Sequence, residues 1–183
     1  MIKALLDANV LYPAPIRDLL LSLAEEELFK PFWSRQIHEE WKRNLLANRP
    51  ELDPLRIDRT ILLMDTAFPD ANVEGFEHRI PELSLSDTDD RHVLAAALEA
   101  SAHFLVTVNL KDFDSKAGQK FNVEIIHPDE FVALLISENK EAAAQSFERM
   151  VARLKNPAQS KQETLKTLEN CGLIESAKLL RKM

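Results

Sequence analysis

Cysteine is almost missing from the 183 residues: Cys171 stands alone. No intrachain disulfide can form, which fits a reducing compartment and makes the cytoplasm the expected location. Glycine is scarce too, 3 against 9 prolines, which excludes fibrous and low-complexity architectures. No uninterrupted apolar run approaches the ~18 residues of a membrane span. The apolar opening MIKALL meets Asp7 too early for a signal-peptide core. There is no glycine-rich phosphate loop or dinucleotide fingerprint, and no Cys/His cluster suited to structural zinc. An excess of positive charge is also lacking, the formal net charge being -7. Residues 1–136 carry 14 Lys+Arg against 24 Asp+Glu, and residues 137–183 carry 9 against 6. So acidic a main body is no general nucleic-acid coat. It can engage phosphate through a bound cation, which reverses the local sign.

What is present is an apolar fraction of 45%, enough for one full core and a helical appendage. Ile2 to Leu6 is a compact apolar run ended by Asp7, read as a central parallel strand. Asp7 and Asn9 then fall at its C-terminal end, where open α/β sheets place their chemistry. Leu28 to Trp33, Phe104 to Val108 and Val123 to Ile126 are the further strands, with Pro31 favouring an edge or a strand end. Helices are expected from Pro15 to about Glu27, from an N-cap at Ser34 to about Leu46, and from Leu55 to Ala67. Two more follow a cap at Asp87 or Thr88 and span Asp129 to Ile136. The alternation predicts a three-layer α/β/α domain with a central parallel sheet over residues 1–136. Two further helical patterns, Glu138 to Leu154 and Gln162 to Leu180 with a break near Gly172, predict a small helical subdomain over 137–183.

Leu83 to Asp114 organises the chain, because it carries acids before a small-residue helix and again after a buried strand. Asp7 and Asp112 follow parallel strands, while Glu40 and Asp90 lie near the front of helices over the same sheet edge. Four gathered carboxylates repel and raise one another's pKa values. A divalent cation relieves that repulsion, and all-oxygen ligation suits Mg²⁺ or Mn²⁺. Such an ion orients and acidifies water and stabilises charge on a phosphoryl oxygen, so phosphodiester hydrolysis is the direct chemical reading. Thr107 and Asn109 are the candidate supporting polar groups. Asp87 and Asp89 are expected to serve the helix start. His92 and His103 are expected at the surface or locally satisfied, and Trp33 and Trp41 in the core. Arg17, Arg43, Arg91 and Lys111 are either phosphate neighbours or solvated.

On these residues the chain resembles the PIN-domain nucleases, especially toxin ribonucleases of VapC type. Asp7 in LLDANVL, Glu40 in SRQIHEEWKRNLL, Asp90 in DTDDRHVLAAALEASA and Asp112 in LVTVNLKDF match the four family acids, with Thr107 and Asn109 in supporting positions. The likeness covers roughly residues 1–136. The helices beyond, around LKNPAQSKQETLKTLENCGL, look like the C-terminal extension of one bacterial PIN subgroup. The resemblance implies an Mg²⁺- or Mn²⁺-dependent endoribonuclease acting on RNA, a small antitoxin that occludes the active groove, and a homodimer. Two other readings stand beside it. One is a carboxylate-metal phosphatase with Asp7 as nucleophile; the other is a noncatalytic RNA- or protein-binding scaffold.

Overall fold

The computed structural model describes residues 1–83, 85, 87–113 and 121–183. Four strands form one parallel sheet: β1 (Ile2–Leu6), β2 (Phe29–Phe32), β3 (Phe104–Val106) and β4 (Glu124–Ile126), in the order β2-β1-β3-β4. Ile2 pairs with Phe29, Ala4 with Phe104, and Phe104 with Glu124. Ala4, Leu5, Leu6, Leu105 and Val106 are all fully buried. That is why these strands read as continuous apolar runs: both faces of a parallel sheet are covered. The chain leaves β1 toward β2 and later returns on the other side to β3. The reversal opens a crevice between the C-terminal ends of β1 and β3, where open α/β sheets bind ligands.

Helices α1 (Ala8–Leu11) and α2 (Ala14–Glu25) connect β1 to β2. Helices α3 (Arg35–Asn48) and α4 (Pro54–Ala67), a 3-10 turn (Glu77–Glu82) and α5 (Arg91–Glu99) connect β2 to β3. Ser34 caps α3 as expected, its hydroxyl accepting from Ile37 N at 3.2 Å. Alanines 95, 96 and 97 of α5 are fully buried, and their small side chains let the helix lie close on β1 and β3. Helix α6 (Pro128–Glu138) follows β4, and α7 (Lys140–Arg153), α8 (Lys161–Asn170) and α9 (Ile174–Arg181) form the helical subdomain. Phe131 of α6 packs edge-on against Phe29 and beside Phe104, placing this helix on the sheet. The result is the expected α/β/α core with a helical subdomain behind it. Among the described residues no helix is long and apolar enough to cross a membrane.

Some local expectations shift. The third strand ends at Val106, not Val108, because Val108 N is taken by the Asn9 side-chain oxygen at 3.1 Å. Helix α5 starts at Arg91 because Asp87 spends its carboxylate on Asp89 N at 2.8 Å, closing a turn ahead of the helix. Asn139 ends α6 and caps α7, splitting the pattern at that point. Ser160 and Glu163 make a reciprocal capping box, so α8 begins at Lys161, ahead of Gln162. Asp114 and the loop around Gly118 lie outside the described residues.

Candidate metal centre

Asp7 leaves β1 as the N-cap of α1 and is 4% exposed. Its Oδ1 accepts from Ala8 N at 2.6 Å. Its Oδ2 accepts from Asn9 Nδ2 at 2.6 Å and from the Thr107 hydroxyl at 2.7 Å. Burial raises the Asp7 pKa above the usual carboxylate value; the Thr107 and Ala8 hydrogen bonds oppose the rise, Glu40 adds to it and His92 opposes it. Thr107 is a hub across the crevice. Its hydrogen goes to Asp7, and its oxygen accepts from Asn9 Nδ2 at 3.0 Å and Asn109 N at 3.1 Å. A hydroxyl offers one donor and two acceptor sites, and here all three are used.

Asp90 occupies the N-cap position of α5 but makes no side-chain capping bond, so its carboxylate is free to face the crevice. Its pKa is pushed up to about 6, first by burial and then by the charges of Asp7, Asp87, Asp112 and Glu40. The three other predicted acids therefore all reach Asp90 electrostatically. Asp112 is half-buried in a turn whose backbone closes from Asp112 N to Asn109 O at 3.1 Å. Asn109 is exposed, and its backbone, rather than its side chain, contacts Thr107.

Glu40 lies on α3 at the edge of the stripe buried through Ile37 and Trp41. Its Oε2 is buried without a hydrogen bond and sits 3.5 Å from His92 Nε2. His92 is thus not a surface histidine: it is 5% exposed and faces a predicted acid. Arg17 also departs from expectation, since its guanidinium stacks on Trp41 at 5.0 Å and donates to Leu11 O. Trp33 and Trp41 are buried in the core as expected. Glu40 and His92 also line a groove of about 1020 Å³ between α3 and the 3-10 turn, together with Arg35, Arg43, Glu77 and Asp89.

The acids share one electrostatic neighbourhood and not one ligand shell: among the described residues no three His, Cys, Asp or Glu side chains group closely enough to hold an ion. The donor chemistry nonetheless fits a hard divalent cation. The acids supply only oxygen, and Asp90 carries the repulsion of its neighbours. Two side chains were undervalued in sequence. Asn9 stood in the first corner without a role, and its i+2 spacing from Asp7 was the available signal. His92, two residues after Asp90, gave no signal, because its partner is 52 positions away.

A parallel sheet carrying acids at its switch point, capped by C-terminal helices, defines a class. Residues 3–111, more than half of the chain, match the PIN domain, and the chain belongs to that family. Residues 128–182 match the VapC50 C-terminal domain. Over 43 residues the chain is 46% identical to "Putative ribonuclease VapC50" of Mycobacterium tuberculosis (strain ATCC 25618 / H37Rv). That alignment spans 24% of this chain and 25% of the relative's length. No solved structure matches.

Proposed function

We propose that this protein is a divalent-metal-dependent endoribonuclease that hydrolyses RNA phosphodiester bonds and acts as the toxin of a toxin–antitoxin pair. The observation that carries this reading is the crevice between β1 and β3, where Asp7 is buried and held by Asn9 and Thr107, with the charges of Asp7, Asp87, Asp112 and Glu40 all raising the Asp90 pKa. A site so loaded with negative charge gains most from a cation. Asp7, Glu40, Asp90 and Asp112 are the residues that would hold Mg²⁺ or Mn²⁺. When bound, the ion draws phosphate into an acidic crevice, acidifies water and stabilises charge developing on a phosphoryl oxygen. Thr107 and Asn9 hold the Asp7 carboxylate in one orientation, so that ligand needs little ordering when a substrate phosphate arrives. Asn109 stands exposed at the rim, within the reach of a substrate.

Asp7 is buried and both its oxygens accept hydrogen bonds, which favours a ligand over the nucleophile that a phosphatase needs. The groove beside Glu40 is lined by Glu39, Glu74, Glu77 and Asp89 against Arg35 and Arg43, a charge balance that suits a cationic antitoxin segment. Leu55, Leu62 and Leu63 stand exposed on α4 and supply apolar area for the antitoxin or for a second copy of the chain.

The test is cleavage of a structured RNA by purified protein in Mn²⁺, freed of any partner. Asp7→Asn and Asp90→Asn are expected to stay folded and to lose divalent-dependent cleavage by about a hundredfold or more, since the ion supplies several kcal/mol of charge stabilisation. Wild-type rates in either folded variant remove that residue from the site. No cleavage by the wild-type chain under these conditions favours the noncatalytic scaffold.

A further inference from the structure

The acids differ in how firmly they are held. Asp7 is fixed by three hydrogen bonds, from Ala8 N, Asn9 Nδ2 and Thr107 Oγ1. Glu40 is longer and has no hydrogen bond among the described residues, yet its Oε2 is sealed from solvent. The polar group facing that oxygen is His92 Nε2, 3.5 Å away, without hydrogen-bond alignment. The imidazole comes from the first turn of α5, two residues after Asp90, whereas Glu40 comes from α3. Its Nδ1 is also buried and has no hydrogen-bond partner among the described residues.

We infer that His92 is a positioning residue, setting the Glu40 carboxylate for the cation of the centre; this rests on the nuclease reading above. The tautomer with hydrogen on Nε2 presents a donor to Oε2, while the other would set two acceptors face to face. Pinning one oxygen leaves the other to meet an ion. Ordering a glutamate side chain costs up to ~2 kcal/mol of rotamer entropy, and a rigid buried ring lifts much of that cost from ion binding. The contact also ties α3 to the start of α5, so Glu40 and Asp90 keep their spacing. His92 acts through Glu40 and touches neither substrate nor reacting atoms.

Direct Mn²⁺ binding, followed by electron paramagnetic resonance on the full chain, separates this role from fold maintenance. Outer-shell partners of metal ligands are worth about 10–100-fold in affinity. His92→Ala is expected to weaken Mn²⁺ binding about tenfold or more. His92→Gln, whose amide nitrogen can reach the Nε2 position, is expected to restore most of it. RNA cleavage should follow, with the Ala variant recovering kcat as Mn²⁺ is raised while KM for RNA stays near wild type. His92→Leu fills the same space without a donor and should behave as Ala does; it also stands in for Ala if the cavity prevents folding. Wild-type Mn²⁺ affinity in a folded Ala or Leu variant overturns the inference and leaves the nuclease reading intact. An equal defect in the Gln and Leu variants overturns it too, because shape and not the donor would then matter. Absence of Mn²⁺ binding by the wild-type chain overturns both.

Discussion

Asp90 shows how one residue's neighbours decide its chemistry. Asp87 closes the preceding turn, so Asp90 reaches the N-cap position with its carboxylate unspent. A folded-state pKa of about 6 against an ordinary 3.8 means that the native state holds this proton more tightly than the unfolded chain. Its contribution to stability is therefore complete below about 3.8 and is lost as pH rises through about 6. Asp90→Asn is expected to raise the melting temperature of metal-free protein at pH 7, to leave it nearly unchanged at pH 3.5, and to abolish the rise caused by Mn²⁺. Calorimetry at the two pH values checks this. Thr107 is the complementary case, because its hydroxyl serves Asp7, Asn9 and Asn109 at once. Thr107→Val keeps the shape and orphans those groups, at a cost of about 1–3 kcal/mol in urea unfolding.

At the scale of elements, adjacency in the sheet brings distant corners together. β1 and β3 are neighbours, so Asp7 and Thr107 meet although 100 positions separate them. A similar long-range contact holds the C-terminal subdomain. Helix α9 has no capping side chain of its own; instead Asp129 at the start of α6 accepts from Glu175 N at 2.9 Å and from Ser176 N at 2.8 Å. The Ser176 hydroxyl adds a bond to the same carboxylate at 2.6 Å. A carboxylate at a helix N-terminus satisfies free N–H groups and meets the positive end of the dipole. Asp129→Ala should cost about 1–2 kcal/mol of stability. Hydrogen exchange should show the loss concentrated in residues 174–181, while Mn²⁺ binding is unchanged.

Across the whole molecule the C-terminal helices and the sheet share a single core. Ala143, Phe147, Met150, Leu165, Leu168, Leu173, Ala177 and Leu180 are buried in the same cluster as β1 and α2. Arg149 and Arg153 of α7 pair with Glu26 and Glu25 at the end of α2, the second pair at 2.7 Å. Exposed pairs like these contribute little; the apolar faces set the stability. Urea unfolding followed by tryptophan fluorescence, which reports on Trp33 and Trp41, and by far-UV dichroism should therefore give one coincident transition. A chain ending at residue 136 uncovers the outer face of α2. It is expected to bind the dye ANS and to lose the cooperative transition, whereas two separate transitions in the full chain would show that the parts fold independently.

The apolar runs at β1, β3 and β4 and the helical spacing of the segments between them were legible because burial on a parallel sheet leaves its mark on neighbouring residues. The grouping of the four candidate acids was a reading of the same pattern, with Asp7 directly after β1, Asp112 in the turn beyond β3, Glu40 on the second turn of α3 and Asp90 at the start of α5. The partners of those acids were not legible. That Asn9 and Thr107 lock Asp7, that Asp90 is spared from capping, and that His92 turns inward onto Glu40 all depend on contacts between residues far apart in the chain. Local sequence sets which element a residue joins; only packing sets which polar atoms are deprived of water and must meet each other.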